Sequence, residues 1–190
     1  FLNENGIESI ACGNVGVSPL EFESHQEIYA IVELSSFQLF YSKNLKLDFG
    51  VFLNFHSDHL DWHKDLDEYK SSKMKLLSFL KSKNNLIIGT NTVSRVKLEN
   101  IIGIPSEETS NKDITKKFDL KLSNYPIDTS IAFIKLIDKL NLSKENAYKF
   151  LKNKSNTEHR FEKVEIINGT RFINDSKSTS LASSENVLKN

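Results

Sequence analysis

A single cysteine, Cys12, stands among 190 residues, so no internal disulfide can brace the fold, and a reducing, cytoplasmic setting is the expectation. No apolar run approaches the length of a secretory h-region or a membrane-spanning helix, so no membrane partner is expected. An excess of either charge is lacking too. The 25 basic and 25 acidic residues cancel, and nothing in that balance points to nucleic acid or an anionic surface. There is no internal repeat and no low-complexity tract. Any ligand must be recognised by a local site, and no obligate protein partner is inferred.

What is present is ordinary for a soluble globular protein: 38% hydrophobic and 26% charged residues, with enough chain for one large domain or one and a half. The opening Phe1-Leu2-Asn3-Glu4-Asn5-Gly6 reads as a helix end with a glycine stop, and a truncated chain is expected. Short apolar runs alternate with helical patterns. The runs are Ser9 to Cys12, Tyr29 to Leu34, Leu47 to Phe55, Asn85 to Gly89 and Ile101 to Ile104. Several are continuous, as strands covered on both faces tend to be, so an α/β fold with a largely parallel sheet is expected. Buried helix fragments are the alternative, and the short lengths and the Gly, Asn and Ser boundaries weigh against it. Leu66, Tyr69, Lys73, Leu77 and Leu80 recur every three or four residues, which puts them on one helix face. A helix pair follows, Thr129 to Leu140 and Ser143 to Leu151, with Ser143 as its N-cap. Asn168-Gly169, between two apolar runs, signals a hairpin. A domain boundary is placed near Asn153 to Thr157, beyond which too few residues remain for a separate core, so a further downstream portion is expected. Ser106 to Lys117 reads as a surface loop or helix end.

Four places carry chemistry. Glu33 closes the run Ala30-Ile31-Val32-Glu33-Leu34, where a buried carboxylate would need a cationic partner; a strand-end carboxylate reaching solvent, or capping the Ser35-Ser36 turn, is equally compatible. Asn54 to His63 packs two carboxylates and three imidazoles into a loop after a strand, where α/β ligands gather. It could bind a metal, move a proton, or be a solvated loop; without Cys it is no structural zinc signature. Lys73, on an apolar helix face, must snorkel, pair or lose its proton, and a neutral amine can take up carbon dioxide to become a carbamate. Asn174 to Ser180 sets an Asp, a Lys and hydroxyls at a strand-to-helix turn, which suits an anion or nucleotide contact or a plain capping turn.

In order along the chain these pieces resemble the MurD family of Mur ligases. Gly13-Asn14-Val15-Gly16 is similar to that family's GNIG turn, Glu33 to Leu39 to its ELSSFQL segment, and Asp58-His59-Leu60-Asp61 with Tyr69 and Lys73 to its DHLD region. His159-Arg160-Phe161-Glu162 resembles its HRFE segment, and Asn174 to Thr179 its NDSKAT turn. Each motif is weak to moderate alone; five in colinear order are not. The resemblance implies an ATP-dependent ligase adding D-glutamate to UDP-N-acetylmuramoyl-L-alanine in peptidoglycan synthesis. ATP phosphorylates the substrate carboxylate and the amine of D-glutamate attacks the acyl phosphate. It further implies that residues 1–155 form the central ATPase domain and residues 156–190 begin a C-terminal Rossmann-like domain.

Residue by residue, the resemblance makes Glu33 a ligand of one magnesium, and His59 with carbamylated Lys73 the holders of a second. Asn14, Ser35 and Gln38 would contact the UDP-sugar, Arg160 and Asp175 the nucleotide, and Lys177 with Thr179 the meeting place of nucleotide and D-glutamate. Two departures stand out. No glycine is followed by Lys-Ser or Lys-Thr, so the family's GTNGKS/T phosphate loop is not in this stretch; its place would be upstream of Phe1, and this chain alone is expected to be inactive. The HN-x-x-N segment is replaced by Tyr125-Pro126-Ile127-Asp128-Thr129, leaving Thr129 with a hydroxyl where an adenine-contacting Asn is expected. The competing readings are a sister ligase, such as folylpolyglutamate synthase or another Mur ligase, and a non-catalytic nucleotide-binding module. Ser35-Ser36-Phe37-Gln38 fits the sister ligases poorly.

Overall fold

The structure is a computed structural model that describes residues 1–21, 28–89, 92, 106–108, 112–120, 125–153, 158–160 and 162–178. The chain forms two compact units, the first mainly from Phe1–Phe52 and His59–Ile87, the second mainly from Glu108–Asn190.

In the first unit, β1 (Ser9–Gly13) and β2 (Tyr29–Glu33) run parallel, from Ser9 opposite Tyr29 to Gly13 opposite Glu33. The expected single sheet is instead divided. A second sheet has the order β3-β4-β5, built from Gly50–Phe52, Leu86–Ile88 and Ser106–Glu108. The continuous apolar run at β4 is a buried strand, with Leu86, Ile87 and Ile88 fully enclosed. The similar run at β2 is not: Ile31 is 50% exposed and Glu33 is exposed as well. Among the described residues β2 pairs only with β1, and most of its residues are exposed. The run expected from Leu47 to Phe55 shrinks to β3 plus one bridge from Leu47 to Leu80. The Ile101 to Ile104 strand lies outside the described residues.

Helix α1 (Ser36–Tyr41) begins at a capping box, and α2 (Leu66–Phe79) packs against it. The Asp65 carboxylate starts α2 by accepting from the Glu68 backbone N–H at 2.8 Å, satisfying one of the donors that a helix start leaves open. Tyr69 and Leu77 bury the predicted face, and Lys73 lies half-buried between them. Leu66 departs from the pattern and is exposed, because it is the first residue of the helix.

In the second unit, α3 (Lys112–Lys117) occupies part of the Ser106 to Lys117 stretch, whose described residues hold β5 and this helix, the helical one of its two expected readings. Helices α4 (Ile127–Lys139) and α5 (Lys144–Asn153) form the expected pair. Their cores, Ile131, Ile134 and Ile137 with Ala147 and Leu151, are buried, and the Phe133 and Phe150 rings meet at 5.8 Å. Ser143 caps α5, accepting from the Asn146 N–H at 3.2 Å. Lys117 Nζ meets Glu145 Oε1 at 2.8 Å, and that hydrogen bond holds the Glu145 carboxyl below the usual carboxylate range. Helix α4 starts two residues before the expected Thr129, directly after Pro126, whose fixed φ suits a helix entrance.

The chain then forms the antiparallel hairpin of β6 (Glu162–Ile167) and β7 (Thr170–Asn174), turned by Asn168 at φ 51° and Gly169 at φ 80°. Positive φ at both central residues is the condition for a turn whose twist matches its strands.

The cap of α2 is testable. Asp65→Ala should lower the stability of the first unit by about 1 kcal/mol in chemical denaturation, whereas Asp65→Asn should stay near wild type. Equal losses in both variants would show that the charge, and not the cap hydrogen bond, matters.

Candidate functional site

The first cluster grows from a backbone constraint. β1 ends at Gly13, whose φ of 103° suits glycine, and a Cβ there would come 2.2 Å from the Glu33 carbonyl oxygen. Gly16 repeats the constraint at φ 84°, with a Cβ position 2.2 Å from the Ala11 carbonyl oxygen. The turn between them folds back tightly: Gly13 N–H donates to the Val17 carbonyl at 3.0 Å, and Asn14 N–H donates to the Glu33 carbonyl at 2.8 Å. This docking carries the Asn14 side chain to Glu33, where Nδ2 donates to Oε1 at 3.0 Å. Glu33 is thus a solvent-reaching carboxylate oriented by an amide, the second of the two readings that the sequence left open. Its desolvation cost is small because the side chain is exposed.

Immediately after Glu33 the chain enters α1. Ser35 Oγ accepts from the Gln38 N–H at 3.2 Å, while Ser35 N–H and Oγ donate to Gln38 Oε1 at 2.9 and 3.1 Å. The S-x-x-Q spacing is a capping-box signature legible in the sequence, although the helix was not expected there. Two consequences follow for binding. The Ser35 hydroxyl proton is spent on Gln38, and the polar group of Gln38 outside the box is its amide NH2, a donor.

The histidines separate rather than gather. His59 adopts φ 54°, half-buried, with its ring edge-on to Phe37 at 5.0 Å and to Tyr69 at 6.0 Å. Lys73 Nζ lies over the other partner of that histidine, 5.2 Å from the Tyr69 ring centroid. His63 is buried at 2% exposure among Phe37, Phe40, Trp62 and Tyr69, its Nε2 2.9 Å from Ser36 Oγ. Sequence spacing had grouped it with His56 and His59; burial removes it from any solvent-facing ligand set. Among the described residues no group of three or more His, Cys, Asp and Glu side chains is placed to hold a metal ion. The donors that are present suit a hard cation that keeps most of its waters. Glu33 offers a carboxylate oxygen held in place by an amide, and magnesium takes one or two protein carboxylates alongside substrate oxygens.

A second cluster lies in the second unit. His159 N–H donates to Glu162 Oε2 at 2.9 Å, and Asn174 Nδ2 sits 2.8 Å from His159 Nδ1 and 3.2 Å from Glu162 Oε2. Lys177 N–H closes the turn on the His159 carbonyl at 3.2 Å. Asp175 accepts from the Ser178 hydroxyl. The segment carrying Arg160 and the turn carrying Asp175 and Lys177 are therefore one hydrogen-bonded knot, with Arg160 and Lys177 exposed. Thr129 stands half-buried in the first turn of α4. Thr179 lies outside the described residues.

The Mur ligase middle domain matches residues 17–148. Three curated relatives are named UDP-N-acetylmuramoylalanine--D-glutamate ligase. The protein of Pseudothermotoga lettingae is 34% identical over 97% of this chain and 45% of its own length. That of Thermosipho melanesiensis is 30% identical over 97% and 43%, and that of Francisella philomiragia 30% identical over 98% and 48%. The chain thus spans less than half the length of these relatives. The middle-domain match covers most of its residues, and the chain belongs to the Mur ligase family.

Proposed function

We propose that this chain contributes the central domain, residues 1–155, and the opening of a C-terminal Rossmann-like domain, residues 156–190, to a cytoplasmic ATP-dependent ligase. The reaction is addition of D-glutamate to UDP-N-acetylmuramoyl-L-alanine, a step of peptidoglycan synthesis and so of cell-wall growth, shape and division. The observation that carries this reading is the docked turn, in which Asn14 orients the Glu33 carboxylate directly before the Ser35–Gln38 box. It supplies an anionic oxygen and an outward amide donor within a few residues, as needed to present an acceptor-rich, carboxylate-bearing substrate beside a cation.

In this reading Glu33, His59 and carbamylated Lys73 hold magnesium, which would neutralise the phosphoryl oxygens. Asn14 keeps the Glu33 carboxylate in one orientation, and Gln38 donates to an acceptor of the UDP-sugar. Ser35 holds that glutamine in place and keeps a lone pair for the same ligand. Arg160 and Asp175, joined through one hydrogen-bonded turn, receive the nucleotide, with Thr129 meeting the adenine. Lys177 and Thr179 are assigned, on sequence alone, to the meeting place of nucleotide and D-glutamate. Lys73 needs a neutral amine to capture carbon dioxide, and its place over the Tyr69 ring stabilises the cation, so carbamate formation competes with that contact.

ADP should form in the full-length protein only with UDP-N-acetylmuramoyl-L-alanine and D-glutamate together, L-glutamate and a folate being inert. Preferential ligation of L-glutamate to the folate would move the protein to the sister branch, and no ligation of any pair would favour a non-catalytic module. In the same assay Ser35→Ala should slow the reaction by the equivalent of roughly 0.5–1.5 kcal/mol, the net worth of a hydrogen bond between neutral groups. Asn14→Asp should do more harm, since it replaces the donor by a second carboxylate 3.0 Å from the first. Should Asn14→Asp prove milder than Ser35→Ala, Asn14 does not orient Glu33 in the working enzyme.

Labelled bicarbonate should give a carbamate carbon signal in the full-length protein that is missing from Lys73→Ala. Matching spectra, with full activity in the mutant, would leave Lys73 as a cation resting on Tyr69.

A further inference from the structure

His63 is a costly residue to place where it is. Its side chain is enclosed by Phe37, Phe40, Trp62 and Tyr69, and among the described residues Nδ1 finds no hydrogen-bond partner. Glu68 Oε2 approaches that nitrogen at 3.6 Å, too far for a hydrogen bond. An aromatic hydrocarbon would fill the same space without stranding a polar atom, and a buried polar atom left unsatisfied calls for a reason. The reason lies on the other nitrogen. Nε2 meets Ser36 Oγ at 2.9 Å, and Ser36 is itself only 2% exposed, between the capping-box Ser35 and the ring of Phe37.

The same ring system reaches His59. Phe37 is stacked on His63 with the planes 9° apart and meets His59 edge-on. The backbone tightens the connection, since Trp62 N–H and His63 N–H both donate to the His59 carbonyl, at 3.2 and 3.0 Å. His59, at φ 54°, is thereby fixed at the head of a turn whose foot is the buried imidazole.

We propose that His63 is a positioning residue: through Ser36 and Phe37 it locks the His59 imidazole to the Ser35–Gln38 capping box, so that the metal-facing and substrate-facing segments keep one mutual geometry. The inference rests on the ligase reading for what the two segments bind, and on the hydrogen bond and ring contacts alone for how they are held. Stability and site geometry are then separable. Removing both ends of the buried hydrogen bond with Ser36→Ala and His63→Phe together strands no polar atom and preserves the ring stack, so the fold should persist.

The test uses the full-length protein and three measurements: the melting temperature, the His59 imidazole resonances by NMR with assignment from His59→Ala, and manganese binding by electron paramagnetic resonance in place of magnesium. The double variant should melt near the wild-type temperature while the His59 resonances shift or broaden and manganese binds roughly tenfold more weakly, the lower end of the cost of losing an outer-shell partner. His63→Gln, which keeps a polar atom for Ser36, should recover part of the affinity. Unchanged His59 resonances in the double variant would overturn the proposal and make His63 a packing residue. A shift in those resonances, with wild-type manganese binding already insensitive to His59→Ala, would uphold the positioning role and refute the metal role of His59. Should the double variant lose its fold, Ser36→Ala carries the test alone: shifted His59 resonances and weaker manganese binding at a native melting temperature support the proposal, and wild-type resonances and affinity overturn it.

Discussion

The contact between the Asn14 N–H and the Glu33 carbonyl, 2.8 Å long, is possible only because Gly13 brings no side chain to that place. Everything at the first cluster is downstream of it. The Gly13–Gly16 turn folds over the end of β1, the Asn14 amide reaches the Glu33 carboxylate, and the chain leaves β2 directly into the Ser35 cap. A carboxylate fixed in this way has less freedom left to lose on meeting any ligand, because the Asn14 amide has already set its orientation.

The aromatic cage does for His59 what the glycine turn does for Glu33. Neither residue is held by being buried. Glu33 stands in solvent and is steered by an amide; His59 is half-exposed and is steered by two rings and its own carbonyl. Both are at least partly exposed polar groups set on rigid supports, the arrangement that keeps a side chain in one geometry while leaving it reachable.

How much of this was legible beforehand depended on the range of the interaction involved. Local chemistry was readable: the Asn168-Gly169 turn, the Ser143 cap and the enclosed strand at Leu86 to Ile88 all appear as expected. The Ser35-x-x-Gln38 box is also written in the chain, yet the helix it starts lasts only six residues, too short to show an apolar period. The exposure of Glu33 and Ile31 was not legible, since an apolar run specifies a strand but not whether anything lies over it. Nor was the separation of His63 from His59. The two are close in sequence, and which ring turns inward depends on Phe37 and Phe40, which belong to another helix. The colinear motifs identified the family where spacing alone left a metal site, a proton relay and a solvated loop equally open.

Cys12 gives the docked turn an internal reporter. Its thiol is 2% exposed, one residue before Gly13, and it is the single cysteine of the sequence. A thiol reagent can reach it only when the end of β1 lifts away from its surroundings, so the labelling rate is a clock for the opening of the turn that holds Glu33. A ligand drawing Asn14 and Glu33 together would slow that clock without touching the sulfur, which turns an inert side chain into a measure of occupancy at the neighbouring carboxylate.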